Sequence, residues 1–113
     1  MSQVLVDESV LQQIVERLTV ALEPDKIILF GSRARGDAQP DSDFDLLIVK
    51  DSTDAPSRRM VRAHAALRGL GVPLDILWST PEEIEEWSGA QNYVTTRAMR
   101  EGRVLYERQP SLR

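Results

Sequence analysis

The sequence predicts a single α/β domain with one sheet covered by helices. Three observations carry that expectation. Helical and strand-like hydrophobic patterns alternate along the chain, and the strand-like runs are short and continuously apolar. No linker, repeat or low-complexity tract interrupts the 113 residues. Residues 1–113 are therefore expected to form one domain with a core over about 26–106 and a frayed tail at 108–113. That length suits a single core and is too short for a catalytic domain plus a separate recognition domain.

Leu11, Ile14, Val15, Leu18, Ala21 and Leu22 recur at the spacing of one helix face. Ser9 with Gln12 three residues on offers a capping box at its start, and Pro24-Asp25 closes it. Lys26–Phe30 is short, β-branched and apolar, which predicts a buried strand ending at Gly31. Arg33 to Ser42 is polar, with Gly36 and Pro40, and reads as a loop holding one helical turn. Phe44–Val49 predicts a second buried strand, and Ser57–Leu70 a helix stopped by Gly71. Val72–Trp78 predicts a third strand, with Pro73 near its start where a missing N–H is tolerated. Thr80-Pro81-Glu82-Glu83 has an N-cap threonine, proline at the first helical position and glutamate at the third, a strong helix start. A helix over about Asn92–Glu101 follows, then Gly102 as a C-cap and a short Val104–Tyr106 segment.

Composition excludes several classes. Hydrophobic residues at 42% and charged residues at 28% match an ordinary globular protein, so wholesale disorder is not expected. With no cysteine there can be no disulfide framework, Cys-based zinc site or thiol chemistry, which fits a cytoplasmic setting. The N-terminus has no basic, apolar leader pattern, and no window approaches the roughly 20 apolar residues of a membrane span. A net charge of −4 lacks the electrostatics of a non-specific nucleic-acid binder.

The chemistry concentrates in one constellation. Gly31-Ser32 sits where the first strand stops, ten residues follow, and Asp43-Phe44-Asp45 heads the second strand. Strand alternation puts Asp43 and Asp45 on one face and turns Phe44 to the other. Asp75 interrupts the otherwise apolar third strand. A carboxylate buried in such a strand finds a partner or binds metal. Three converging carboxylates repel one another unless divalent cations neutralise them, and hard oxygen ligands suit Mg²⁺ or Mn²⁺ completed by phosphates and water. Glycine lets backbone approach a phosphate closely, and the Ser32 hydroxyl can help hold it.

The stretch from Gly31-Ser32-Arg33-Ala34-Arg35-Gly36 through Ser42-Asp43-Phe44-Asp45-Leu46, with Asp75 on a later strand, resembles the signature of the minimal nucleotidyltransferases (MNT) of the polymerase-beta-like superfamily. The similarity spans roughly Lys26 to Tyr106 and includes the ending Arg100-Glu101-Gly102-Arg103-Val104-Leu105-Tyr106. The resemblance implies a nucleotidyltransferase fold with a small mixed sheet, a two-ion Mg²⁺ site and ATP as substrate. It implies that Asp43 and Asp45 bind the ions carrying the nucleotide. Asp75 would help orient or deprotonate the acceptor hydroxyl, and Gly31 and Ser32 would bind phosphate. Many members of the family are antitoxins of HEPN/MNT toxin–antitoxin pairs, and some transfer AMP to a tyrosine of the HEPN toxin. The implied partner is thus a HEPN-family toxin in a hetero-oligomer, with no membrane and no direct nucleic-acid contact. Two other readings stay open: a non-catalytic module that occludes its partner, and transfer to a small molecule.

Simpler readings cover the remaining residues. Arg33 and Arg35 could reach phosphates or merely balance nearby acids. The basic helix bearing Arg58, Arg59, Arg62 and Arg68 reads as a solvated face. His64 stands alone and reads as a helix-surface or half-buried residue rather than a catalytic base. Trp78 and Trp87 read as core or rim.

Overall fold

The computed structural model describes residues 3–87 and 93–108. The first helix, α1, runs Gln3–Leu22 and starts well before the predicted capping box. Ser9 therefore lies inside the helix, where its carbonyl accepts a hydrogen bond from Gln13 Nε2 at 3.4 Å. An interior serine costs about 0.5 kcal/mol relative to alanine, too little to stop a helix that gains a bond with each added residue. Leu11, Ile14, Leu18 and Leu22 are buried as the periodicity predicts, whereas Ala21 is exposed at the edge of the stripe.

Strand β1 occupies Lys26–Phe30 and β2 Phe44–Val49, both with the predicted bounds. Between them α2, Ser32–Arg35, is the single helical turn, closed by Gly36 in the left-handed conformation. Helix α3 spans Pro56–Ala66 and ends before the expected Leu70, because Gly69 turns the backbone to φ 82. Strand β3 is Leu74–Ser79, starting two residues and ending one residue later than expected. Pro73 has no N–H for the ladder and contributes only its carbonyl, which accepts the Phe44 N–H at 2.9 Å.

Helix α4, Pro81–Trp87, starts with the predicted capping box. Thr80 Oγ1 accepts the Glu83 N–H at 3.0 Å, and Glu83 Oε1 accepts the Thr80 N–H at 2.9 Å. The same glutamate corrects the solvated-face reading of α3. Arg59 is only 7% exposed, and its guanidinium grips both Glu83 oxygens at 2.9 and 3.3 Å while Nε donates to the Asp54 carbonyl. Arg58, Arg62, His64 and Arg68 are exposed as read. Trp78 is buried, with Nε1 donating to the Lys50 carbonyl at 2.9 Å. The side chain of Trp87 and the 108–113 tail beyond Arg108 lie outside the described residues.

Helix α5 covers Tyr93–Glu101, and Gly102 leads into β4, Arg103–Glu107. Gly102 follows the helix as expected, but its need for glycine is closeness. A Cβ there would stand 2.4 Å from Ile28 Cγ2 and 2.5 Å from the Ala98 carbonyl. The end of α5 is thus pressed directly onto β1.

The four strands form one mixed sheet in the order β3-β2-β1-β4. β1 is antiparallel to β2 and β4, and β2 runs parallel to β3 through the α3 crossover. A bulge between Ile27 and Ile28 fits β4 to β1. The main core lies on the face covered by α1 and α3, where Ile27, Leu29, Phe44, Leu46, Ile48, Ile76 and Trp78 meet the helix stripes. A smaller cluster on the other face joins Ile28, Leu47 and Val49 to Ala98 of α5, with Leu77, Ile84 and Met99 at its margin. Alternation puts Asp45 and Asp75 on this second, thinly covered face. No helix among the described residues is long and apolar enough to cross a membrane.

Candidate functional site

Ladder register sets three residues in a row across the sheet. Phe30 of β1 is paired with Asp45 of β2, and Asp45 with Asp75 of β3. Just past Phe30, Gly31 adopts φ 73 and ψ −157, a conformation open to glycine and strained for other residues. A Cβ on Gly31 would stand 2.0 Å from Asp45 Oδ2. The carboxylate therefore occupies the space that any other residue at 31 would fill.

Asp45 is half-buried, and burial pushes its carboxyl above the ordinary value. The charges of Asp75 and then Asp43 add to the rise, as does a hydrogen bond to Asp75, while the Arg35 charge opposes it. Asp43 and Asp75 are exposed. For Asp75 this corrects the premise of a buried carboxylate: β3 is an edge strand, and its apolar residues on the other face meet the main core. Its accessibility leaves it open to an incoming group. Phe44 is 2% exposed in the main core, as expected, and Arg33 lies over its ring at 4.2 Å.

The two arginines of the turn separate clearly. Arg33 donates from Nη2 to the Pro40 and Ser42 carbonyls at 3.1 and 2.9 Å, tying the loop that delivers Asp43. Arg35 is exposed and contacts Asp37 at 3.4 Å, and its charge acts on Asp45. Ser32 opens α2 half-buried beside Gly31, its carbonyl accepting the Gly36 and Asp37 N–H groups. A cavity of about 490 Å³ adjoins Gly31 between α2 and α5, lined by Phe30, Gly31, Ala34, Arg35, Arg97, Ala98 and Glu101. Its α5 wall went unrecognised in the sequence, where the signal was Gly102, the residue that brings α5 against β1.

Among the described residues, no three acids or histidines stand close enough to enclose a metal ion by themselves. The donor set nonetheless fits Mg²⁺ or Mn²⁺. Such ions take one or two carboxylates and fill the remaining positions with substrate phosphates and water. Asp45 is crowded by like charge from two carboxylates, a repulsion that a cation placed among them would offset.

Residues 9–105 match the family model of the nucleotidyltransferase domain, and the chain belongs to that family. Two solved structures share the fold. One is a crystal structure of a toxin–antitoxin with AMP-PNP, at 20% identity and TM-score 0.65, with 88% of this chain and 74% of that chain covered. The other is the toxin–antitoxin MntA-HpeT in a mutant with two aspartates changed to glutamate, at 18% identity and TM-score 0.64, with the same coverage of 88% and 74%. None of the curated proteins compared with the chain matches it.

Proposed function

We propose that this nucleotidyltransferase domain is a minimal, metal-dependent adenylyltransferase and the antitoxin of a HEPN-family toxin, moving AMP from ATP to a tyrosine hydroxyl of that toxin. The observation that carries the reading is the Asp45 carboxylate, seated on Gly31 and in register with Asp75. Asp43 and Asp45 would hold the Mg²⁺ ions, with Asp75 sharing the coordination. Bound there, the ions would activate the acceptor oxygen and offset charge on the departing pyrophosphate. Gly31 and Ser32 would bind the phosphates, and the missing side chain at 31 leaves room for the Asp45 carboxylate beside them. Asp75, exposed on the edge strand, orients the acceptor hydroxyl and takes its proton. The toxin partner is supported by the likeness in fold to toxin–antitoxin complexes.

The test is incubation of the chain and its candidate toxin with labelled ATP and Mg²⁺, followed by mass measurement of the toxin. Addition of one or more AMP groups is expected, and it disappears with Asp43→Ala/Asp45→Ala. If that double variant still neutralises the toxin fully and wild type moves no label, the protein acts by occlusion and the enzymatic reading falls.

A further inference from the structure

We propose that Arg33 is a positioning residue that locks the Gly31–Ser32 turn to the loop carrying Asp43, and that it governs divalent-ion affinity without touching the nucleotide. The inference rests on the metal-dependent reading proposed above and adds to it the residue that fixes the two halves of the site against each other. One half is the turn. The Gly31 carbonyl accepts the N–H groups of Ala34 and Arg35, both at 3.1 Å, so the backbone of Arg33 is held within α2. The other half is the loop. Arg33 Nε and Nη2 both donate to the Ser42 carbonyl, at 3.1 and 2.9 Å, and Nη2 also reaches those of Pro40 at 3.1 Å and Gln39 at 3.4 Å. The loop closes on itself as well: the Ser42 N–H donates to the Gln39 carbonyl at 3.0 Å, and Ser42 Oγ accepts the Gln39 N–H at 2.9 Å. Asp43 is the next residue.

Three carbonyl oxygens turned toward one place repel one another unless a donor stands among them, and a planar guanidinium offers several N–H groups in a fixed fork. Reaching for a phosphate would break all of these bonds at once. The guanidinium is itself seated, lying over the Phe44 ring at 4.2 Å. Phe44 is 2% exposed in the main core and stands between Asp43 and Asp45 in the chain. The core thus fixes the ring, the ring seats the guanidinium, and the guanidinium holds the loop that ends at Asp43. Electrostatics gives the proposal a sign that can be checked. A positive charge beside a cation site opposes metal binding, so Coulomb's law alone says that removing Arg33 tightens a divalent ion. Positioning says the reverse, because a group that orients a metal ligand weakens the metal when it is lost.

The experiment measures two quantities on the full, nucleotide-free chain: Mn²⁺ affinity by electron paramagnetic resonance, and amide hydrogen exchange without metal. The variants are Arg33→Ala and Arg33→Lys. Arg33→Ala is expected to weaken Mn²⁺ about tenfold although it removes a like charge. Arg33→Lys keeps the charge but not the fork, and is expected to weaken Mn²⁺ by a smaller factor in the same direction. In both variants the Gln39 and Ser42 amides exchange about tenfold faster while those at the centres of β1 and β2 keep their wild-type rates. Mn²⁺ affinity that is unchanged or tighter in Arg33→Ala overturns the proposal, as does unchanged exchange at Gln39 and Ser42. Faster exchange throughout the sheet also overturns it, since Arg33 would then be a general stabilising residue. Each of these results leaves the transfer reading in place. A wild-type chain that binds no Mn²⁺, alone or with ATP, overturns both.

Discussion

Gly31 carries two constraints at once, a positive φ and a carboxylate in the place of its missing side chain. Gly31→Ala is expected to cost about 1–2 kcal/mol from the backbone alone, and more from displacing Asp45. Urea denaturation measures the first effect and loss of nucleotidyl transfer the second; an active, fully stable alanine variant would contradict both. Asp45 shows the opposite relation between site and stability. Because its pKa is raised, the folded chain holds its proton more tightly than the unfolded chain does. Stability is therefore lost as pH rises from the ordinary 3.8 through the raised folded value. Asp45→Asn removes that loss. Without divalent ions it should melt above the parent at neutral pH, with the gap closing at pH values below the window, and it should lose nucleotidyl transfer. A lower melting temperature at neutral pH would show that Asp45 is a stabilising group.

At the scale of elements, the best-read pieces were those whose signals are local. The apolar runs at Lys26–Phe30 and Phe44–Val49 and the Thr80–Glu83 capping box needed only neighbouring residues, and all three formed as read. The start of α1 and the end of α3 were misjudged, because Ser9 is tolerated inside a helix and Gly69 acts earlier than Gly71. Arg59 was read as solvent-facing, since its partner Glu83 lies on another helix and nothing nearby in sequence announces it. The same division holds at the site. The spacing of Gly31, Asp43 and Asp45 was local and legible, whereas the α5 wall of the cavity depends on long-range packing at Gly102. Arg59 and Glu83 join α3 to the cap of α4, and Arg59's hydrogen bonds hold the Glu83 carboxyl below its ordinary value against the effect of burial. This contribution is present above the unfolded glutamate pKa and lost as pH falls through the lowered folded value. Glu83→Gln leaves Arg59 buried and half-satisfied. Because the Glu83 side chain keeps 27% exposure, the cost should be about 2 kcal/mol rather than that of a fully buried pair. Urea titration at neutral pH checks it, and the deficit should shrink in acid.

At the scale of the whole molecule, the sheet order places β4, near the end of the described chain, beside β1, which ends at the Gly31 turn. Bonds between distant segments reinforce that closure: Arg103 Nη1 reaches Glu8 at 2.7 Å, and the Arg108 N–H reaches the Asp25 carbonyl at 2.8 Å. Removing everything after Gly102 bares the β1 edge and releases the strand that leads into Gly31. The shortened chain is expected to melt without cooperativity and to lose ATP binding; a sharp melt with retained ATP binding would show β4 to be dispensable. The same pairing sets a timetable during synthesis. β1, β2 and β3 leave the ribosome while the partner for one side of β1 is still unmade, so the end of β1 that leads into Gly31 gains its second neighbour only when Arg103, paired with Leu29, has emerged. A chain clipped before β4 is accordingly expected to carry a bare β1 edge beside the Gly31 turn, open to pairing with another strand.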